Sequence, residues 1–215
     1  MVTQLISAQV GQYLESLVPE RPAEMQAMEA HAGRTGFPIV GPAAGYFCYQ
    51  IARLTGARHV FELGSGFGYS TAWFARAVQE NGGGTVHHVV WDQQLSDEAR
   101  EHLGALGFGQ IIRYHVAEAV QTLGETPGPF DLIFNDICKE CYPDSLPVIR
   151  DKLRPGGVLL VDNMLWGGRV LDEGDRSSTT EGIREFTRRV VRDPGWISMV
   201  VPIRDGLLLA YKQGA

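Results

Sequence analysis

At 215 residues the chain exceeds the size at which a single hydrophobic core becomes marginal, and one domain over 1–215 is expected. Apolar residues at 44% and charged residues at 20% suit a water-soluble globular protein. With no long apolar run and no basic-then-apolar N-terminus, neither a membrane span nor a signal peptide is expected. A formal charge of −6 speaks against a broad phosphate-binding surface, so nucleic acid is not the expected partner.

Residues 1–40 read as a helical extension and 41–215 as the core. Leu5, Ile6, Val10, Leu14 and Leu17 recur at three- and four-residue steps until Pro19 and Pro22 break the pattern, and a second helix covers about 23–32. Gly41 and Pro42 precede a helix that stops near Gly56. Strand and helix then alternate. A strand over 59–63 leads through the turn 64–68 into a helix over 70–78, ended by Asn81-Gly82-Gly83-Gly84. A strand over 86–91 precedes a helix with its N-cap at Ser96, and a third strand over 111–116 precedes a helix beginning at 118–123. The fourth strand covers 131–135, a helix includes 145–153, and the fifth strand covers 157–161. A final helix over 181–191 leads to strands over 196–201 and 207–211. Only Pro202 to Gly206 separates these two, too short for a helical crossover, so they pair antiparallel. The expected fold is α/β: a doubly wound, seven-stranded, mostly parallel sheet with one antiparallel strand near the C-terminus and helices on both faces. The one long irregular stretch, 163–180, is of a length that is more often functional than idle.

Between the first strand and its helix lies Glu62-Leu63-Gly64-Ser65-Gly66-Phe67-Gly68. Glycines there permit positive φ and let backbone amides approach a ligand. A dinucleotide-binding GxGxxG needs its third glycine where Tyr69 stands, whereas ExGxGxG is the form class I methyltransferases use for S-adenosylmethionine. Asp92 closes the second strand and can accept hydrogen bonds from both ribose hydroxyls of an adenosine; the plainer reading is an acid that starts the next loop. Ser70 and the helix N-terminus suit the methionine carboxylate.

Asp136 follows the fourth strand, and Asp162-Asn163 follow the fifth. On adjacent strands all three emerge at the carboxyl edge of the sheet, where open α/β folds bind ligands. Two carboxylates and an amide oxygen make a hard donor set for Mg²⁺, Ca²⁺ or Mn²⁺; the plainer reading is that strand-end acids cap the following helices. Lys139, three residues past Asp136, is in reach of a substrate oxygen. Cys48, Cys138 and Cys141 are too few for a disulfide framework and suit a reducing cytoplasm. Cys138 and Cys141 form a lone CxxC, which could be a redox pair or half a zinc site; with no second CxxC and no histidine close in sequence, two reduced thiols near a loop is the preferred reading. The six histidines show no metal-ligand spacing and are assigned no role.

From about Gly41 to Lys212 the chain resembles the cation-dependent O-methyltransferases, the family of catechol and caffeoyl-coenzyme A O-methyltransferases. The resemblance is carried by ELGSGFGYS, FDLIFNDICKECYP, LRPGGVLLVDNMLWGGRV, IREF and RDGLLLAYK. It implies a Rossmann-like sheet, a homodimer, and S-adenosylmethionine with a divalent cation, Mg²⁺ foremost. The implied cofactor residues are Val40, Glu62, Gly64, Ser65, Gly66, Ser70 and Asp136, with Asp92 on the ribose and Ala119 beside the adenine. The implied metal ligands are Asp136, Asp162 and Asn163, and Lys139 is the implied base. Trp166, in the loop after the ligands, either covers an aromatic substrate or packs. Many members read D-A-D-K where this chain reads Asp136-Ile137-Cys138-Lys139, and Asn135 replaces the usual apolar residue. A neutral cysteine is a poor ligand for a hard cation. The expected activity is cation-assisted methyl transfer to one hydroxyl of a small aromatic vicinal diol. The alternatives are an RNA methyltransferase acting on a hydroxylated base, or a catalytically impaired S-adenosylmethionine-binding protein; a nicotinamide oxidoreductase is disfavoured by the glycine spacing.

Overall fold

The computed structural model describes residues 8–214, so Leu5 and Ile6 of the first expected helix lie outside the described residues. In chain order the elements are α1 (Ala8–Ser16), α2 (Ala23–Thr35), α3 (Gly41–Leu54), β1 (His59–Leu63), α4 (Tyr69–Glu80), β2 (Thr85–Val90), α5 (Gln93–Ala105), β3 (Ile112–Val116) and α6 (Ala119–Glu125). They continue with β4 (Phe130–Asn135), α7 (Tyr142–Lys152), β5 (Leu153–Val161), α8 (Ser178–Arg192), β6 (Trp196–Val201) and β7 (Leu207–Lys212), with 3₁₀ segments at Lys139–Cys141 and Trp166–Leu171.

The strands form one sheet in the order β3-β2-β1-β4-β5-β7-β6. β1 to β5 pair in parallel, while β7 runs antiparallel to both β5 and β6. This is the expected doubly wound sheet with one reversed strand. Period-two side-chain alternation explains why the central strands read as continuous apolar runs. On β4, Leu132 and Phe134 face a core with Trp73 and Phe74 of α4. Phe130 and Ile133 face a second core with Tyr142 of α7 and Phe186 of α8. Burial of both faces leaves the carboxyl edge, where β1, β4 and β5 end, as the place for polar groups.

The N-cap of α5 differs from expectation. It is Asp92, whose Oδ1 accepts from the amides of Gln94 at 2.7 Å and Leu95 at 3.3 Å. Ser96 is fully buried inside the first turn instead. An ionised carboxylate at a helix start is favoured by both the free amides and the helix dipole, which outcompetes a cap four residues later.

His88 on β2 is buried under α4. Thr71 gives its hydroxyl proton to Glu62 Oε2, so it must accept from His88 Nδ1, 3.0 Å away, and His88 Nε2 has no partner among the described residues. Burial pushes the His88 pKa down to about 3. An unfolded histidine titrates near about 6.5, so between these values the unfolded chain holds a proton that the folded chain does not. The contribution of His88 is therefore complete above the unfolded value and is lost as pH falls, by at most about 1.4 kcal/mol per pH unit. Glu62, raised to about 7 by burial, acts in the opposite sense between the ordinary glutamate value and 7. Comparing wild type with His88→Asn in urea titrations isolates the histidine. The wild-type midpoint should fall more steeply from pH 6.5 to 5 than that of the variant; parallel curves would contradict this.

Candidate functional site

The glycine turn after β1 is shaped by close approaches. Gly64 has φ +84, and a Cβ there would stand 2.5 Å from the Asp136 carbonyl oxygen. Gly66 has φ +52, and its Cβ would press against the Phe37 ring at 3.0 Å. The turn thus lies between the end of β4 and the segment before α3, with room for backbone only. Ser65 anchors it to β2: its amide donates to the Val89 carbonyl and its Oγ accepts from the Val89 amide, both at 3.0 Å. Glu62, beneath the turn, is fully buried. The Ser70, Thr71 and Ser65 hydroxyls around it counter part of the rise that burial imposes. Its Oε1 nonetheless makes no hydrogen bond to any described residue. A buried carboxylate oxygen without a donor fits a bound ammonium.

At the ends of β4 and β5 the expected residues converge. Lys139 is 9% exposed, and its Nζ donates to Asp136 Oδ1 at 2.6 Å, the Tyr142 hydroxyl at 2.9 Å and the Ile137 carbonyl at 3.2 Å. Tyr142 passes its own proton to the Asp162 carbonyl oxygen at 3.0 Å, so one hydroxyl ties Lys139 to β5. Asp162 is 1% exposed; its Oδ1 accepts from the Asn163 amide at 2.7 Å and its Oδ2 from Arg204 Nη1 at 3.3 Å. Burial raises the Asp162 carboxyl to about 7, with repulsion from Asp136 next in weight. Asp136 is raised by burial too, opposed chiefly by Lys139.

Asn163 adopts a left-handed φ of 59, which asparagine tolerates better than most residues. Its Nδ2 donates to Asp205 Oδ2 at 3.1 Å. A carboxylate only accepts, so this bond turns the amide nitrogen towards Asp205 and leaves the amide oxygen free. Asp205 also accepts from the Gly167 amide at 2.6 Å. The buried Asp162 carboxylate, the half-buried Asp136 carboxylate that repels it and one free amide oxygen fit a hard divalent cation. Among the described residues no group of three His, Cys, Asp or Glu is suited to a metal; the present set reaches three only by including Asn163.

A cleft of about 420 Å³ joins these parts. Gly64, Gly66, Asp92, Asp136, Lys139, Asp162, Asn163 and Trp166 all line it, with Phe37, Ile39, Trp91 and Arg204. Val40, Ser65 and Ser70 line a small adjoining recess at the glycine turn. Asp92 reaches the cleft although its Oδ1 caps α5. Ala119 is not among the lining side chains; it is 4% exposed and packs with Leu63 and Val89. Trp166 both lines the cleft and packs against the second core, with Lys139 Nζ 6.0 Å from its ring.

The CxxC departs from the reduced state expected: Cys138 and Cys141 form a disulfide. The 3₁₀ turn brings residues three apart together, at a Cα separation of 5.3 Å, within disulfide reach. The bridge brackets Lys139, and a sulfur so engaged is no ligand. Asn135, fully buried, donates to Ser145 Oγ at 3.0 Å and so helps seat α7. Tyr142, Gly182, Arg204 and Asp205 escaped the sequence reading. The 202–206 turn could have been placed, since an antiparallel last strand beside β5 returns that turn to the end of β5.

The sequence matches the O-methyltransferase family model over residues 7–213. It is 30% identical to a catechol O-methyltransferase of Niastella koreensis over 183 residues, 82% of each chain. It is 34% identical to mouse catechol O-methyltransferase domain-containing protein 1 over 168 residues, 76% of this chain and 63% of the relative. The O-methyltransferase TomG of Streptomyces achromogenes, solved with S-adenosylmethionine, superposes over all of both chains with a TM-score of 0.87 at 26% identity. The chain belongs to the O-methyltransferase family, and it is a class I S-adenosylmethionine-dependent O-methyltransferase.

Proposed function

We propose that the protein methylates one hydroxyl of a catechol-like vicinal diol, with a divalent cation held by Asp136, Asp162 and Asn163 and with Lys139 as the base. The observation that carries this reading is the placing of Lys139 against Asp136, beside buried Asp162, in the cleft that the glycine turn also lines. The relative named catechol O-methyltransferase supports the acceptor class.

When bound, S-adenosylmethionine supplies the electrophilic methyl group, and the cation supplies positive charge that favours an ionised acceptor oxygen. Gly64 and Gly66 keep the turn free of side chains where the cofactor would lie, and the Glu62 carboxylate beneath the turn, which lines neither the cleft nor the recess, would attract the methionine ammonium by its charge. Asp92 offers Oδ2 to the ribose while Oδ1 continues to cap α5. Trp166 and Ile39 provide apolar walls that orient the aromatic ring and exclude water. Lys139 would take the proton from the hydroxyl to be methylated; its bonds to Tyr142 and the Ile137 carbonyl hold Nζ in place.

Catechol and resorcinol, its 1,3-isomer, separate this reading from general phenol methylation. Only adjacent oxygens can share one cation, so catechol should be methylated at least about a hundredfold more efficiently. Equal rates would remove the chelation step.

Gly182 of α8 limits where Lys139 sits. A Cβ there would lie 2.4 Å from the Lys139 carbonyl oxygen and 2.8 Å from Glu140 Cα. Gly182→Ala should displace the Lys139 segment and lower kcat by about tenfold or more, since misplacement near an ångström is costly. Affinity for S-adenosylmethionine, measured by calorimetry, should stay within a few-fold. An unchanged kcat would show that the segment yields freely.

A further inference from the structure

Arg204 lies in the turn between β6 and β7 with a φ of 53, a left-handed conformation that arginine adopts only where its surroundings hold it. The turn is held by bonds from the Ile203 amide to the Val201 carbonyl and from the Gly206 amide to the Ile203 carbonyl. Asp205, the next residue, is fastened to Asn163 and Gly167. The consequence of this backbone is that the Arg204 side chain lines the cleft beside Lys139 and Trp166.

The guanidinium is under-used. It carries five N–H donors, yet among the described residues its one hydrogen bond is the 3.3 Å contact from Nη1 to Asp162 Oδ2. Its side chain is 39% exposed. Arg184, by contrast, donates to four backbone carbonyls and to Glu181. Arg204 and Lys139 are the two cationic side chains lining the cleft, against Asp92, Asp136 and Asp162, and Lys139 is taken up by Asp136 and Tyr142.

We propose that Arg204 forms a carboxylate subsite in the acceptor end of the cleft, and that the acceptor is a catechol bearing a carboxylate on its ring or on a short side chain. This rests on the vicinal-diol reading above. A planar guanidinium with free donors matches a carboxylate in two-point geometry. The cofactor also carries a carboxylate, but the recess at the glycine turn is lined by Val40, Ser65, Tyr69 and Ser70 without Arg204. The acceptor is taken as the source of the anion.

The test compares catechol with 3,4-dihydroxybenzoate in wild type and in Arg204→Gly, a replacement suited to the positive φ. Wild type should favour the dihydroxybenzoate. In Arg204→Gly the ratio of KM for catechol to KM for dihydroxybenzoate should fall by about tenfold or more. Any loss that follows from depriving Asp162 of its partner falls on both acceptors and cancels in the ratio. Calorimetric binding of dihydroxybenzoate to the protein without turnover should weaken in parallel, and Arg204→Lys should restore part of it. An unchanged ratio overturns the subsite, as does a rise confined to the KM of S-adenosylmethionine, which would assign Arg204 to the cofactor carboxylate. Methylation of catechol without preference for the carboxylate overturns the subsite while sparing the diol reading. Methylation of neither diol overturns both.

Discussion

Replacing Asp162 by alanine is expected to lower turnover on a vicinal diol by about a thousandfold and to abolish any response to added divalent cation. Charge stabilisation by a bound metal contributes several kcal/mol to such a transition state, and about 4 kcal/mol corresponds to that factor. Asp162 is the more deeply buried of the two acids proposed to share the cation, and Asp136 already repels it. Its removal leaves a single carboxylate and an amide oxygen, too weak a set to retain a hard cation. The backbone part of the site should survive, because Tyr142 bonds the Asp162 carbonyl rather than its side chain. Affinity for S-adenosylmethionine should therefore remain close to wild type. A variant that keeps its cation response unaltered would disprove the ligand assignment, and Asp162→Asn, which preserves shape, guards against a folding artefact.

The second large effect is expected at Lys139. Lys139→Met keeps much of the side chain's length and removes its amine. A positioned base contributes typically about 10²–10⁴-fold, so kcat should fall within that range. The variant leaves Asp136 without its 2.6 Å partner in a site that already raises its carboxyl, so some stability is lost as well. Measuring kcat at saturating cofactor, together with cofactor affinity and the thermal midpoint, separates these effects. A large fall in kcat with retained affinity and a folded protein agrees with the base; unchanged turnover removes Lys139 from the reaction.

Much of this site could be read from order along the chain. The strands are short apolar runs flanked by glycine or acid, and a parallel sheet sends the ends of β1, β4 and β5 to one edge. Gly64, Asp136, Asp162 and Asn163 had to meet there once the strand order was known. Local competition was harder to read. Asp92 took the α5 cap from Ser96 because free amides lie within reach of the strand-end acid. The CxxC gave no sign of its pairing, since whether residues three apart meet depends on the 3₁₀ turn that joins them. Arg204 and Gly182 act through tertiary approach, one by a strained turn and the other by the absence of a side chain. Neither property has a sequence period.

The central claim, methyl transfer assisted by a cation at Asp136, Asp162 and Asn163, is tested most directly by assaying transfer from S-adenosylmethionine to catechol with Mg²⁺ and with a chelator. Methylated product that forms with Mg²⁺ and disappears with chelator is the predicted result. Undiminished product in the chelator would contradict it.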